Sequence, residues 1–165
     1  METVAVYWES RIKTYGFQDA SELSLLELGF QTGRLPEWGL EIQEMGDSGI
    51  SFELVLIQYG GEKELKAYLL FKRKWEEKVI KHTRQVIRKD DGETFHITSP
   101  VELISFFGPH FGDRYGIADS AFRALRQKDI TIIAAGCSGS AVYLVLPDGM
   151  AREAKAALAK TFEAP

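Results

Sequence analysis

The chain has 165 residues, 45% hydrophobic and 27% charged, and its 24 acidic and 20 basic side chains leave a formal net charge of −4. This balance excludes a chain-wide basic field for nucleic acid, and the length accommodates one medium domain or two small ones. Cys137 is the single cysteine, so no internal disulfide forms. No apolar run approaches the ~18 residues of a membrane span, and residues 1–11 lack the basic start and apolar stretch of a secretory signal. The expectation is a cytoplasmic protein without a nucleic-acid or membrane partner.

Val4, Val6 and Trp8 alternate with other residues and predict an opening strand. Ser21 to Gly33, with Leu23, Leu25, Leu26 and Leu28, reads as a short helix. Arg34 to Gly39 reads as a loop, and Leu40, Ile42 and Met45 as a strand before the turn at Gly46-Asp-Ser-Gly49. Ile50 to Tyr59 and Leu65 to Phe71 are strand-like, divided by Gly60-Gly61. From Lys74 to Lys89, Trp75, Val79, Ile80, Val86 and Ile87 form an apolar stripe at helical spacing, with Lys78, Lys81, Arg84 and Arg88 on the other face. Asp90-Asp91-Gly92 stops this helix, Thr94 to Thr98 is extended, and Ser99-Pro100 marks a junction.

Val101 to Phe107 is apolar at nearly every position, as suits a buried central strand. Gly108, Gly112 and Gly116 punctuate a loop, and a helix begins at Ile117 with Ala121, Ala124 and Leu125 on one face. Ile130, Ile132 and Ala134 alternate as a strand, Gly136 to Gly139 turns, and Ala141 to Leu146 is another strand. Pro147-Asp148-Gly149 leads into a last helix with Ala151, Ala154, Leu158 and Phe162 facing inward. Strand, helix, strand, strand, helix is the ferredoxin-like βαββαβ plan with its final strand in question. The first half has a looser version of that order.

Gly112-Asp-Arg-Tyr-Gly-Ile-Ala118 resembles the Asp-Arg-Pro-Gly-Ile run of ACT domains, with Tyr115 in place of the proline. Val101 to Pro109, Ala121 to Leu125 followed by Asp129 to Ile132, and Ala135 to Val145 resemble the ACT repeats of aspartate kinase regulatory tails. The resemblance covers about the last two-fifths of the chain. It implies an α+β fold of tandem ferredoxin-like (ACT-like) units with antiparallel sheets and helices on one face. The domains expected are a divergent ACT-like unit over 1–98 and an ACT domain over 99–165. It also implies a non-catalytic regulatory module without a cofactor, binding an amino acid and pairing as a homodimer through sheet edges, with a partner enzyme or regulator conceivable on the same ground.

The candidate ligand-binding residues are Gly108, Asp113, Arg114, Tyr115, Gly116, Ile117 and Ser138. A glycine-rich loop entering a helix exposes N–H donors and the positive end of the helix dipole, which favour a carboxylate. Asp113 is a candidate for the ammonium group and Ser138 offers a hydroxyl. Proline at the matching position would preset the helix start; tyrosine forfeits that and adds bulk. Against this stands the plainer alternative of a geometric turn, with Asp113 complementing the helix dipole and Arg114 a solvated charge.

Other chemistry is poorly supported. His82, His96 and His110 lack the local partner spacing of a zinc site. Gly136-Cys-Ser-Gly139 lacks the spacing of a nucleophile elbow. Gly60-Gly61-Glu-Lys is not a phosphate loop, and the basic run from Lys72 is interrupted by Glu76 and Glu77, as on a solvated helix face. No kinase domain is contained in these residues. A loop-bound metabolite and a ligand-free interaction module are the two readings left open.

Overall fold

The computed structural model describes residues 11–109 and 111–164. The strand expected at Val4 to Trp8, and His110, lie outside them. The elements in chain order are β1 (Ile12–Lys13), β2 (Phe17–Gln31), α1 (Leu35–Asp47), β3 (Phe52–Gly61), β4 (Glu64–Lys72), α2 (Glu76–Val86), β5 (Thr94–Phe107), α3 (Ile117–Arg126), β6 (Ala134–Cys137), β7 (Ala141–Pro147), α4 (Ala151–Leu158) and β8 (Phe162–Glu163). The chain divides into two compact units, one of residues 22–101 and one of residues 1–21 with 102–165. Residues 11–21 fall in the same unit as the C-terminal segment. Ser99-Pro100 is a cis peptide inside β5, not a linker between elements.

In unit 22–101 the order β2-α1-β3-β4-α2-β5 is a complete βαββαβ set, with sheet order β3-β4-β2-β5. β4 pairs antiparallel with both β2 and β3, with Leu26 opposite Leu69 and Val55 opposite Leu69 on the other side. Alternate residues Leu26, Leu28 and Phe30 of β2 and Leu65, Ala67, Leu69 and Phe71 of β4 share one core with Trp38 and Met45 of α1 and Val79 of α2. Both helices therefore cover a single face of this sheet, burying the stripe that each sequence repeats.

Two sequence expectations fail here. Of the expected helix Ser21 to Gly33, Ser21 to Gln31 is strand, and only Thr32 and Gly33 enter a 3-10 turn. Leu23, Leu25, Leu26 and Leu28 are all buried, so neither side of the strand is polar and the alternation that marks a half-exposed strand is erased. Arg34 to Met45 is helix, not loop and strand. Pro36 stands in its first turn, where a missing N–H costs nothing, and Trp38, Ile42 and Met45 face inward at helical spacing. Gly39 and Gly46 inside the helix disguise it as a broken segment.

The other unit runs β5-α3-β6-β7-α4, with sheet order β2-β5-β7-β6. β2, whose residues 17–21 belong to this unit, is hydrogen-bonded to β5. The chain continues past α4 only into the two-residue β8, paired parallel with β1 through Ile12 and Phe162. β6 and β7 form an antiparallel hairpin from Ala134–Val145 to Cys137–Val142. β6 is shorter than the expected strand from Ile130, although the Ile133 N–H still donates to the Val145 carbonyl at 2.8 Å. Ile104, Phe106, Val142, Leu144 and Leu146 pack against Ala121 and Leu125 of α3 and Ala154 and Leu158 of α4. Phe162, expected on the last helix, is fully buried in β8 and stacks edge-on with Phe106 at 4.9 Å.

Candidate functional site

The loop between β5 and α3 is pinned at three points. At Gly108, an added Cβ would lie 2.3 Å from the Lys13 carbonyl oxygen and 2.7 Å from the Phe111 ring, so the backbone of β1 and an aromatic edge occupy the space any side chain needs. Phe111 is buried and meets Phe106 at 6.0 Å in a T-shaped contact. At Gly112, a Cβ would lie 3.1 Å from the Gly139 carbonyl oxygen, which places the loop directly against the β6–β7 turn.

Gly116 caps α3 with φ +81, a left-handed conformation that L side chains rarely adopt. Its carbonyl accepts from the Ser120 N–H at 2.9 Å. Ile117 sends its side chain into the core, leaving only its backbone at the helix start. Asp119 in the first turn bonds Arg123 one turn later.

The sequence-selected residues separate into two kinds. Gly108 and Ile117 are packing positions, and Gly116 is a conformational one. Asp113 is exposed, Arg114 half-buried, and Tyr115 99% exposed, so the tyrosine neither fills the loop's interior nor shields it. Ser138 sits in the β6–β7 turn. Its hydroxyl accepts from the Ala141 N–H at 3.1 Å, and its own N–H donates to the Ala141 carbonyl at 2.9 Å. The Gly112–Gly139 approach brings this turn beside the loop, so Ser138 and residues 112–116 belong to one neighbourhood.

A cleft of about 280 Å³ opens at the N-terminal end of the loop, lined by Lys13, Thr14, Tyr15, Pro109, Glu163 and Ala164. None of these was singled out by sequence, since β1 and β8 are two-residue strands with no readable period. Cys137, exposed in the hairpin, has its thiol pKa pushed up by desolvation. It therefore lacks the thiolate activation a nucleophile requires.

The two units thus define a tandem ferredoxin-like α+β fold. No family model matches the chain, and no curated protein matches it. Solved structures do. The regulatory subunit of aspartate kinase from Thermus thermophilus, in ligand-free form, superposes with a TM-score of 0.76 at 14% identity, over 91% of this chain and 99% of that one. Aspartate kinase from Synechocystis gives 0.80 at 14% identity, over 97% of this chain but 28% of the kinase. E. coli aspartokinase III in complex with lysine and aspartate, in its T-state, gives 0.58 at 13% identity, over 93% of this chain and 34% of that one. At such identities the likeness is one of fold: the chain has the fold of aspartate kinase regulatory domains.

Proposed function

We propose that the chain is a non-catalytic regulatory module that binds an amino acid at the loop entering α3. The observation that carries this is the build of residues 108–109 and 111–117. The loop reaches α3 through a left-handed Gly116 and rests on the turn that holds Ser138. The first N–H groups of α3 and its positive dipole end suit the ligand's carboxylate, with Asp113 the candidate for its ammonium group. The fold shared with aspartate kinase regulatory domains supports this ligand class, as a whole kinase containing such a fold, E. coli aspartokinase III, was solved in complex with lysine and aspartate.

Each compact unit is an ACT-like domain in this reading. β3 and β6 are the edge strands of their units, and such edges are available for pairing with a second copy. Ligand binding then acts by favouring one pairing arrangement over another. The protein works in the cytoplasm, alone or beside a partner enzyme. A thermal-shift screen against the standard amino acids tests the proposal. A ligand at a hundred times its dissociation constant stabilises by about 2.7 kcal/mol, several degrees in a chain of this size. The shift is expected to vanish in Asp113→Ala; no shift with any amino acid at millimolar concentration defeats the proposal.

A ligand-free interaction module is the second reading, favoured by Tyr115 at 99% and Phe122 at 38% exposure on and beside the loop. It requires an oligomeric state, measured by light scattering, that no metabolite alters.

A further inference from the structure

α1 and α2 of unit 22–101 lie side by side, joined where Glu41 Oε2 meets His82 Nε2 at 2.8 Å. Glu44 stands three residues after Glu41 and so shares its helix face. One oxygen from each carboxylate and one imidazole nitrogen all lie within 4.8 Å of one another. We propose that Glu41, Glu44 and His82 form a binding site for a divalent transition-metal ion of the zinc class. The site is independent of the loop before α3 and of the ligand proposed there.

The donor set chooses the class of ion. Imidazole with two carboxylates suits zinc, cobalt or nickel, whereas magnesium and calcium favour oxygen alone. Metal–ligand bonds of about 2.0–2.2 Å place tetrahedral donors about 3.3 Å apart. The 2.8 Å contact between Glu41 and His82 must therefore open by about half an ångström and the Glu44 carboxylate swing inward. Side-chain torsions suffice for both movements, because Trp38, Met45 and Val79 fix the two helices in the core. Three protein donors leave one position for water.

The surrounding charges agree. Among the described residues no lysine or arginine pairs with Glu44. Lys78, one turn before His82 on α2, directs its ammonium to the Ser48 carbonyl at 2.8 Å instead of to these carboxylates. Arg88 pairs with Glu37 at 3.3 Å. A histidine–glutamate hydrogen bond alone accounts for two of the three groups but not for the approach of Glu44, which brings a second negative charge to the same point. Glu41 and His82 are each 24% exposed, partly shielded yet open enough for an ion to enter.

Zinc titration by calorimetry tests the proposal, using the full chain carrying Cys137→Ser so that the exposed thiol does not compete. One zinc per chain is expected. Replacing a direct ligand, in His82→Gln or Glu44→Gln, is expected to weaken binding at least ~10-fold, since the loss of even an outer partner costs 10–100-fold. Zinc should raise the melting temperature of the Cys137→Ser protein and not that of either variant. Glu44 is exposed, so Glu44→Gln melts normally in chelator and keeps the test sound should His82→Gln not fold. Absence of saturable binding, or undiminished binding in Glu44→Gln, overturns the proposal.

Discussion

Gly108→Ala is a severe test of how the candidate loop is held. The new Cβ would meet the Lys13 carbonyl oxygen at 2.3 Å, Phe111 Cε1 at 2.7 Å and Thr14 Cα at 3.0 Å. Ordinary contact distance requires the Lys13 carbonyl to retreat by about 1 Å. That backbone is fixed on both sides. Thr14 N–H donates to the Glu163 carbonyl at 2.8 Å, and Tyr15 N–H to the Phe107 carbonyl at 2.8 Å. Overpacking costs about 1–3 kcal/mol, and a strained or lost backbone hydrogen bond adds about 1 kcal/mol. The stiffer unfolded chain offsets about 0.4–1 kcal/mol. The net expectation is a loss of about 2–3 kcal/mol, read as a lower urea midpoint at unchanged slope by tryptophan fluorescence. Phe111→Leu in the same chain is not expected to rescue it, because two of the three obstructing atoms are backbone. A loss below about 1 kcal/mol, or full rescue by Phe111→Leu, refutes the view that β1 clamps the loop.

Glu93 is buried among Arg34 Nε at 2.8 Å, Trp38 Nε1 at 3.3 Å and the Arg88 N–H at 2.8 Å. Glu93→Gln is expected to cost about 3 kcal/mol by leaving Arg34 without its buried charge partner, measured by urea denaturation. Burial alone raises the pKa of Glu93, but the hydrogen bonds from Arg34, the Arg88 N–H and Trp38 outweigh it and set the folded value below the ordinary one. Its stabilisation is therefore present above the unfolded value of about 4.3 and lost as pH falls through the lower folded value, a loss that Glu93→Gln should remove from the pH–stability curve. Gly116→Val forces a β-branched residue to φ +81 and is expected to destabilise by about 2 kcal/mol, with Gly116→Asn costing less in the same melting assay. Cys137 should react with a disulfide reagent at neutral pH no faster than free cysteine, since desolvation disfavours its thiolate.

The second half of the chain is legible in sequence because its elements are short and bounded by glycine-bearing turns. β7 is a strand-length apolar run buried at most of its positions, and α3 carries one apolar stripe. β2 is also buried without a break from Leu23 to Leu26, but at 15 residues it runs to a length that reads as helical. α1 is hidden by two glycines and a proline that its packing tolerates. That misreading also conceals the Glu41–Glu44–His82 cluster. Read as a strand, residues 40–45 would place Glu41 and Glu44 on opposite faces; as a helix, they share one. His82 lies 41 positions beyond Glu41, a pairing no local spacing reports. The candidate loop is legible as a glycine-punctuated helix start, but the cleft beside it depends on β1 and β8, which come from opposite ends of the chain.

The pinning of the loop also bears on how a bound molecule could act. Gly108, Phe111 and Gly112 are fixed by contacts with β1, the core and the β6–β7 turn, and Ile117 by the core below α3. Between these anchors lie Asp113, Arg114 and Tyr115, with Tyr115 almost wholly in solvent. The helix start and the turn holding Ser138 are thus in place beforehand, which lowers the ordering cost of binding. Tyr115 is the side chain of this stretch that stands almost wholly in solvent, where a change at the site would meet another surface. A ligand that ordered this segment would alter the exposed face of the module while leaving its core untouched, and Tyr115→Ala should then uncouple regulation from binding: the amino-acid-induced thermal shift is retained while any ligand-dependent change of oligomeric state disappears. Loss of both together would place Tyr115 in the binding site itself.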